Sequence, residues 1–324
     1  MATAVIAAPP QPAARKFVKL LRDGDKAAHL ITLIFAASVF LVTVFLVYEL
    51  WVQSSPARAK FGFEFLFSKS WDPVAEKFGA LPFIYGTVLT SLLALLISVP
   101  LAVGAAIFLS ELAPPKLSNT CTFLVELLAA VPSVIYGLLA FFTLVPLMRI
   151  YIEPFLKKNL GFLPFFQGPA YGYGYLTAAM ILSIMTFPFI ISISRESLLA
   201  VPREQREAAL ALGATKWEST WQVVVPHARL GIIGSIFLAL ARALGETMAV
   251  TMVIGNDPAV HASLIAPGYT IAAIIANEFT EATGELYQGA LVELGLVLFL
   301  ITIILNAAAQ LLIVATTKKG SKHD

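Results

Sequence analysis

Arg242 and Glu246 stand four residues apart in the stretch LARALGETMAV, Leu240 to Val250, which is otherwise mostly apolar. An arginine presents a planar fork of donors that matches two oxygens of an oxyanion. An ionised glutamate can only accept hydrogen bonds. Side by side in an apolar setting they can serve two ends. Each can partly neutralise the other as a packing pair, which adds little net stability. Alternatively they can line a path for an anion, because intramembrane charges in transporters mark such paths. The second use is preferred here. Ser133 and Tyr136 in PSVIYG could add hydrogen bonds to the same ligand, or only to neighbouring helices.

These residues need a membrane around them, and composition supplies it. The 324 residues are 58% hydrophobic and 13% charged, with a mean hydropathy of +0.83. A soluble domain is about a quarter charged, so the chain cannot coat a water-soluble globule. A net charge of +2 does not suggest nucleic acid. Cys121 is alone, which rules out a disulfide within the chain, and the four histidines show no metal spacing. No metal site and no catalytic residue is expected. No phosphate-loop pattern occurs, so the chain is not expected to hydrolyse ATP.

The expected fold is all-α, with six transmembrane helices at roughly 28–52, 83–110, 121–148, 172–194, 231–256 and 292–316, each near the ~20 apolar residues that cross a bilayer. Pro100 is expected to kink the second. Residues 1–27 suggest a disordered tail, 28–82 a first span with an outer loop, 83–316 the main membrane core, and 317–324 a short tail. The segment 258–277 is apolar but interrupted by Pro258, Pro267 and Gly268, and is expected to form a hairpin or short helices at the outer face. With the N-terminus inside, fourteen Lys or Arg fall on inside segments and seven on outside ones, with Arg242 left in a span. That bias places both termini of a multi-pass membrane protein in the cytoplasm. On this topology Arg242 lies near mid-membrane with Glu246 one helical turn further on the same face. Glu126 and Glu293 flank spans and suit interfaces. Gly234 and Ser235 suit close helix packing. Tyr171 to Tyr175, YGYGY, suits an aromatic belt.

The longest inside connection, Glu196 to Gly231, suggests two short helices. Pro202 suits a first helical position, Gly213 a C-terminal stop, and Thr215 with Glu218 a capping box, while Pro226 is expected to end the second helix. A solvated connector and a DNA-binding helix pair are alternatives; a membrane tether argues against the latter. The spacing of Glu207-Ala208-Ala209, Gly213 and Pro226 resembles the EAA loop of ABC importer permeases, with Val223 and Val225 in place of the family's Ile and Leu. The resemblance implies that this loop docks on a separate ATPase subunit.

Three further stretches are similar to PstC-type permeases of bacterial phosphate importers: Ala129–Phe142, Arg242–Asn256 and Pro267–Phe279. The resemblance implies a type I ABC importer permease in which Arg242, Glu246 and Thr247 act in transport of inorganic phosphate. It implies a second permease subunit (PstA-type), an ATPase dimer (PstB-type) that binds ATP and magnesium, and an external phosphate-binding protein (PstS-type). The chain itself is expected to need no cofactor. Phosphate near neutral pH still carries a proton and sulfate does not, so an ionised Glu246 would accept from the one and repel the other. A permease for sulfate or molybdate, or a proton-coupled secondary carrier, stays open on the residues alone.

Overall fold

The computed structural model describes residues 12–320, with side-chain surroundings given for 28–308, 310 and 311. By contacts the chain divides into two units, Met1–Gln53 and Ser54–Asp324. The first is a single helix, α1 (Pro12–Gln53), whose part Ala28–Gln53 is long and apolar enough to cross a membrane. Residues 12–27 are therefore helical, not the disordered tail expected; residues 1–11 and 321–324 lie outside the described residues.

The second unit is helical, and among the described residues its only β-pairings are two isolated bridges. Its main helices are α2 (Leu81–Ile107), α3 (Pro115–Ala130), α4 (Ser133–Leu139), α5 (Tyr175–Leu199), α6 (Arg203–Ala211), α7 (Val225–Leu244), α8 (Met248–Thr251), α9 (Ile271–Glu278) and α10 (Glu285–Gly320). Five further spans are long and apolar enough to cross: Leu81–Leu112, Ser133–Leu160, Tyr175–Leu199, Lys216–Leu244 and Glu285–Ala308. None falls in 258–277, which forms a loop and the eight-residue α9, as expected. The total of six agrees with the sequence, but the third span does not lie at 121–148. The chain breaks there at Val131 and Pro132, both extended. A proline has no N–H to continue the helix and pushes the preceding residue out of the α region.

Helices α2, α5 and α7 form the centre. Leu95, Ala102, Ile190, Ile191, Ala239, Leu240 and Leu244 meet in one buried cluster. Lipid tails are as apolar as leucine, so close packing and interhelical hydrogen bonds hold such a bundle together. Ser194 and Ser235 share a buried hydroxyl hydrogen bond of 2.8 Å. Gly231 lies so close to Ser197 that a Cβ would overlap its hydroxyl, whereas Gly234 faces open space. Of these two glycines of α7, Gly231 is therefore the close-packing one.

Pro100 and Pro188 stand inside α2 and α5 with no π turn before them, but other prolines follow a common pattern. Four π turns, Phe108–Leu112, Ala140–Leu144, Met148–Ile152 and Thr220–Val224, each end just before an X-Pro step. In each, the residue before the proline donates its N–H five residues back, as Val225 does to Thr220. At Pro146, Pro154 and Pro226 the wider turn makes room for a residue that can neither donate nor tolerate a close carbonyl, whereas at Ala113 and Pro114 the helix ends. Pro226 consequently does not end its helix: Lys216–Leu244 runs through it as one span.

The N-terminus of α5 is held by a loop. The N–H groups of Gly174, Tyr175 and Leu176 donate to the carbonyls of Val253, Ala266 and Leu264 at 3.0, 3.2 and 2.8 Å. These are donors that a helix start leaves unmet. Tyr175 is fully buried against Gly268, so it belongs to the core and not to an aromatic belt. Tyr171 and Tyr173 remain partly exposed and stack on each other. Glu293 is buried within α10.

Candidate transport site and loop

The helix carrying Arg242 stops at Leu244. Gly245 takes φ −96°, ψ 0°, and a new short helix, α8, begins at Met248. Arg242 and Glu246 therefore do not share a helix face, and they are not an ion pair. Ion pairs do form elsewhere, as at Lys60–Glu76, Arg206–Glu111 and His261–Asp257. The break instead puts each charge where a helix end favours it. Arg242 lies in the last turn of α7, beside the negative end of the helix dipole. Glu246 lies just before α8, and its carboxylate accepts the Ala249 N–H at 3.4 Å.

The guanidinium of Arg242 lies over the ring of Phe189, 4.4 Å from its centroid. Phe189 is fourteen residues into the 25-residue α5, about 21 Å from its start at 1.5 Å per residue. That is near the middle of the span. Arg242 Nε is buried and has no hydrogen-bond partner. An unmet charged donor in such a place is costly, and an anionic ligand would satisfy it.

Helix α4 forms the opposing wall. A Cβ on Gly137 would meet Met252 Sδ at 2.7 Å and Ala249 Cα at 3.0 Å, so α4 and α8 touch through a glycine. Tyr136 is buried and its hydroxyl donates to the Leu128 carbonyl at 2.8 Å. That bond makes Tyr136 a structural link to α3. Ser133 is half-buried in the first turn of α4. The Thr247 hydroxyl donates only locally, to Gly245 O at 3.3 Å, while its carbonyl accepts from Thr251. The geometry brings Arg242, Glu246, Thr247 and the helix of Ser133 and Tyr136 around one break.

At the far end of α5 the connection folds as two helices. Pro202 is the N-cap of α6, one residue before the expected position. Gly213, at φ +90°, closes α6. Its N–H reaches Leu210 O at 3.0 Å and Ala214 N–H reaches Ala209 O at 3.1 Å, the paired bonds of a Schellman ending. Thr215 and Glu218 form the expected capping box, with both reciprocal bonds present. Glu207 and Ala208 face outward, and a groove of about 680 Å³ runs beside them, lined by Ala208, Ala209, Leu212, Gly213 and Gln222 among others. Leu212 is 90% exposed and Trp217 and Trp221 are about half exposed. Pro226 lies outside this cluster, inside the long helix.

Residues 98–317 match the family model "Binding-protein-dependent transport system inner membrane component". A relative from Mesorhizobium japonicum called "Phosphate transport system permease protein PstC" is 50% identical over 85% of this chain and 86% of its own. One of the same name from Xylella fastidiosa is 46% identical over 92% and 94%. This chain belongs to the PstC-type permease family. A chain of the MetNI methionine ABC transporter shares the fold at a TM-score of 0.53, with 16% identity over 76% of this chain and 99% of its own. One of a bacterial alginate ABC transporter does so at 0.58, with 14% identity over 89% and 94%.

Two residues of this PstC-type permease could not be singled out from sequence. Phe189 is one of 23 phenylalanines, and only the fold sets it under Arg242. Arg206 stands in the loop's first helix and ties it down. Its guanidinium bonds Glu111 at 2.9 and 3.1 Å and the Leu198 carbonyl at 2.7 Å, and it also donates to Val201 O. A guanidinium after Pro202 and an acid ending an apolar run were the available signals, but nothing in the sequence paired them.

Proposed function

We propose that this permease is the transmembrane subunit of an ATP-driven phosphate importer in the bacterial inner membrane, with both termini cytoplasmic. The unmet Arg242 Nε beside a helix break carries the reading. Broken helices near mid-membrane present their ends and side chains to substrate in other transporters. Arg242 attracts the oxyanion, with Phe189 holding the guanidinium flat. Glu246, on the other side of the break, accepts the proton that phosphate carries and repels an anion without one. The relatives' names, the shared ABC transporter fold and the Lys/Arg bias support the same assignment.

A second permease subunit completes the path, since one broken helix cannot enclose it. The helices from Arg203 to Ser219 dock on an ATPase dimer, which binds ATP and magnesium. Their apolar tip at Leu212, the capped ends and the Arg206 clamp make the pair rigid enough to pass a rigid-body movement into α5 and α7. A phosphate-binding protein delivers substrate at the opposite face.

The test is labelled-phosphate uptake into vesicles holding the assembled transporter, with ATP inside and excess sulfate or molybdate outside. Uptake that needs ATP and ignores both competitors supports the proposal. Competition by sulfate or molybdate would move the substrate, and uptake driven by a proton gradient without ATP would overturn the coupling. Glu246→Gln should reduce phosphate-over-sulfate discrimination in the translocation step; unchanged discrimination would remove Glu246 from that role.

A further inference from the structure

On α5, Ile184, Pro188, Ile191 and Arg195 recur at spacings of four, three and four, which is one face of a helix. On α3, Ser118, Thr122 and Val125 do the same. The two faces meet. Arg195 Nη2 makes a long 3.4 Å bond to Ser118 Oγ, and Val125 shares the wall of an apolar groove with Ile191. This groove, about 610 Å³, is also lined by Leu101, Leu128, Ile184 and Pro188, and it continues past Ile184 to Leu176 and to Leu156 of the Ser133–Leu160 span. Leu101, Leu128 and Ile184 are about half exposed, so it opens sideways from the bundle.

One helical turn beyond Ile191 and Val125, on the loop side of the groove, stand polar groups that are left unsatisfied. Arg195 Nε and Thr122 Oγ1 are both buried without a hydrogen-bond partner. Among the described residues no acid pairs with Arg195. Glu111 is bound to Arg206, the hydroxyl of Ser118 donates to Leu109 O at 2.7 Å, and Glu196 next in the chain is exposed. Arg195 lies four residues before the end of α5, at headgroup level on the side of the Arg203–Ser219 loop. Ile184 lies eleven residues deeper, about 16 Å, half of a hydrocarbon core of about 30 Å.

We propose that this groove between α2, α3 and α5 binds a phospholipid of the leaflet on the loop side, with one acyl chain along Ile191 to Ile184 and the headgroup phosphate on Arg195. The pairing of an apolar slot with a guanidinium one helical turn beyond its loop-side end, its Nε unmet and no acid beside it, matches an anionic amphiphile. Inorganic phosphate could use the cation but not the slot. A partner helix could fill the slot but would leave the cation unmet. The site lies immediately before the loop, so an occupied groove braces the α3–α5 contact from which the loop departs.

The experiment is a titration of the assembled, delipidated transporter with dioleoylphosphatidylglycerol, read by native mass spectrometry. Wild type should retain lipid at this site. Arg195→Gln should weaken that binding about tenfold, as should Ile184→Trp, which fills the slot from its exposed side and leaves the charge in place. Millimolar inorganic phosphate should not displace the lipid. Unchanged binding in either variant overturns the proposal. So does displacement by phosphate, which would make Arg195 a free-anion site. So does absence of bound lipid with crosslinking from position 184 to the second permease subunit, which would show that protein fills the groove. The readout does not depend on transport, so it stands apart from the functional proposal.

Discussion

Arg206 and Arg242 are both half-buried arginines near helix ends, yet their surroundings are opposite. Arg206 is saturated: two bonds to Glu111 and two to backbone carbonyls leave it little capacity for anything else. Arg242 has an aromatic ring beneath it and a buried Nε with no acceptor. A charge whose donors are all met contributes to structure. One held in place but unmet is kept for something that arrives. The difference decides which arginine is a joint and which is a binding group.

The sharpest way to break this comparison is Arg242→Gln. Uptake in the vesicle assay should fall by about 100-fold or more, the scale of losing one oxyanion donor, while the melting temperature stays level or rises because an unpaired buried charge is removed. A destabilised but transporting variant would reverse the roles. Arg206→Gln should do the opposite. It leaves Glu111 without its partner at a cost of about 2–3 kcal/mol, below the figure for a fully buried pair because the pair keeps some exposure. The melting temperature drops, and the double variant with Glu111→Gln recovers part of the loss. Gly137→Ala sharpens the picture at the opposing wall. Its Cβ has no room against Met252 and Ala249, so overpacking of about 1–3 kcal/mol is expected, read as a lower melting temperature with slower uptake. The smallest effect is expected from Pro226→Ala. The π turn before it already accommodates the missing N–H, so stability should change by less than about 1 kcal/mol, half the cost of an ordinary interior proline or less.

Local signals in the sequence hold where their cause is local. The Thr215–Glu218 capping box and the Gly213 stop depend on side chains and φ angles within a few residues, and both appear as expected. The six spans depend on apolar length, and their number holds. Prolines were harder. Pro132 breaks the chain, whereas Pro226 and Pro146 pass through continuous spans. Whether a π turn forms to absorb a proline depends on what the widened turn packs against, which no local pattern records. The pairing of Arg242 with Glu246 failed for a related reason. A four-residue spacing implies a shared face only while the helix continues, and here it ends at Leu244 because the next segment turns under α4.

By itself the sequence determined that this chain lives in a membrane, how many times it can cross, where the loop of Glu207 and Gly213 folds, and that Arg242 and Glu246 stand out in an apolar run. Those follow from composition, apolar length and short-range caps. Only the tertiary structure decided that the two charges are separated by a helix break, that Phe189 lies beneath the arginine, that Tyr136 is already engaged by Leu128, and that Arg206 pairs with Glu111. Each of those facts joins residues on different helices, and such contacts are set by how close neighbouring backbones can approach.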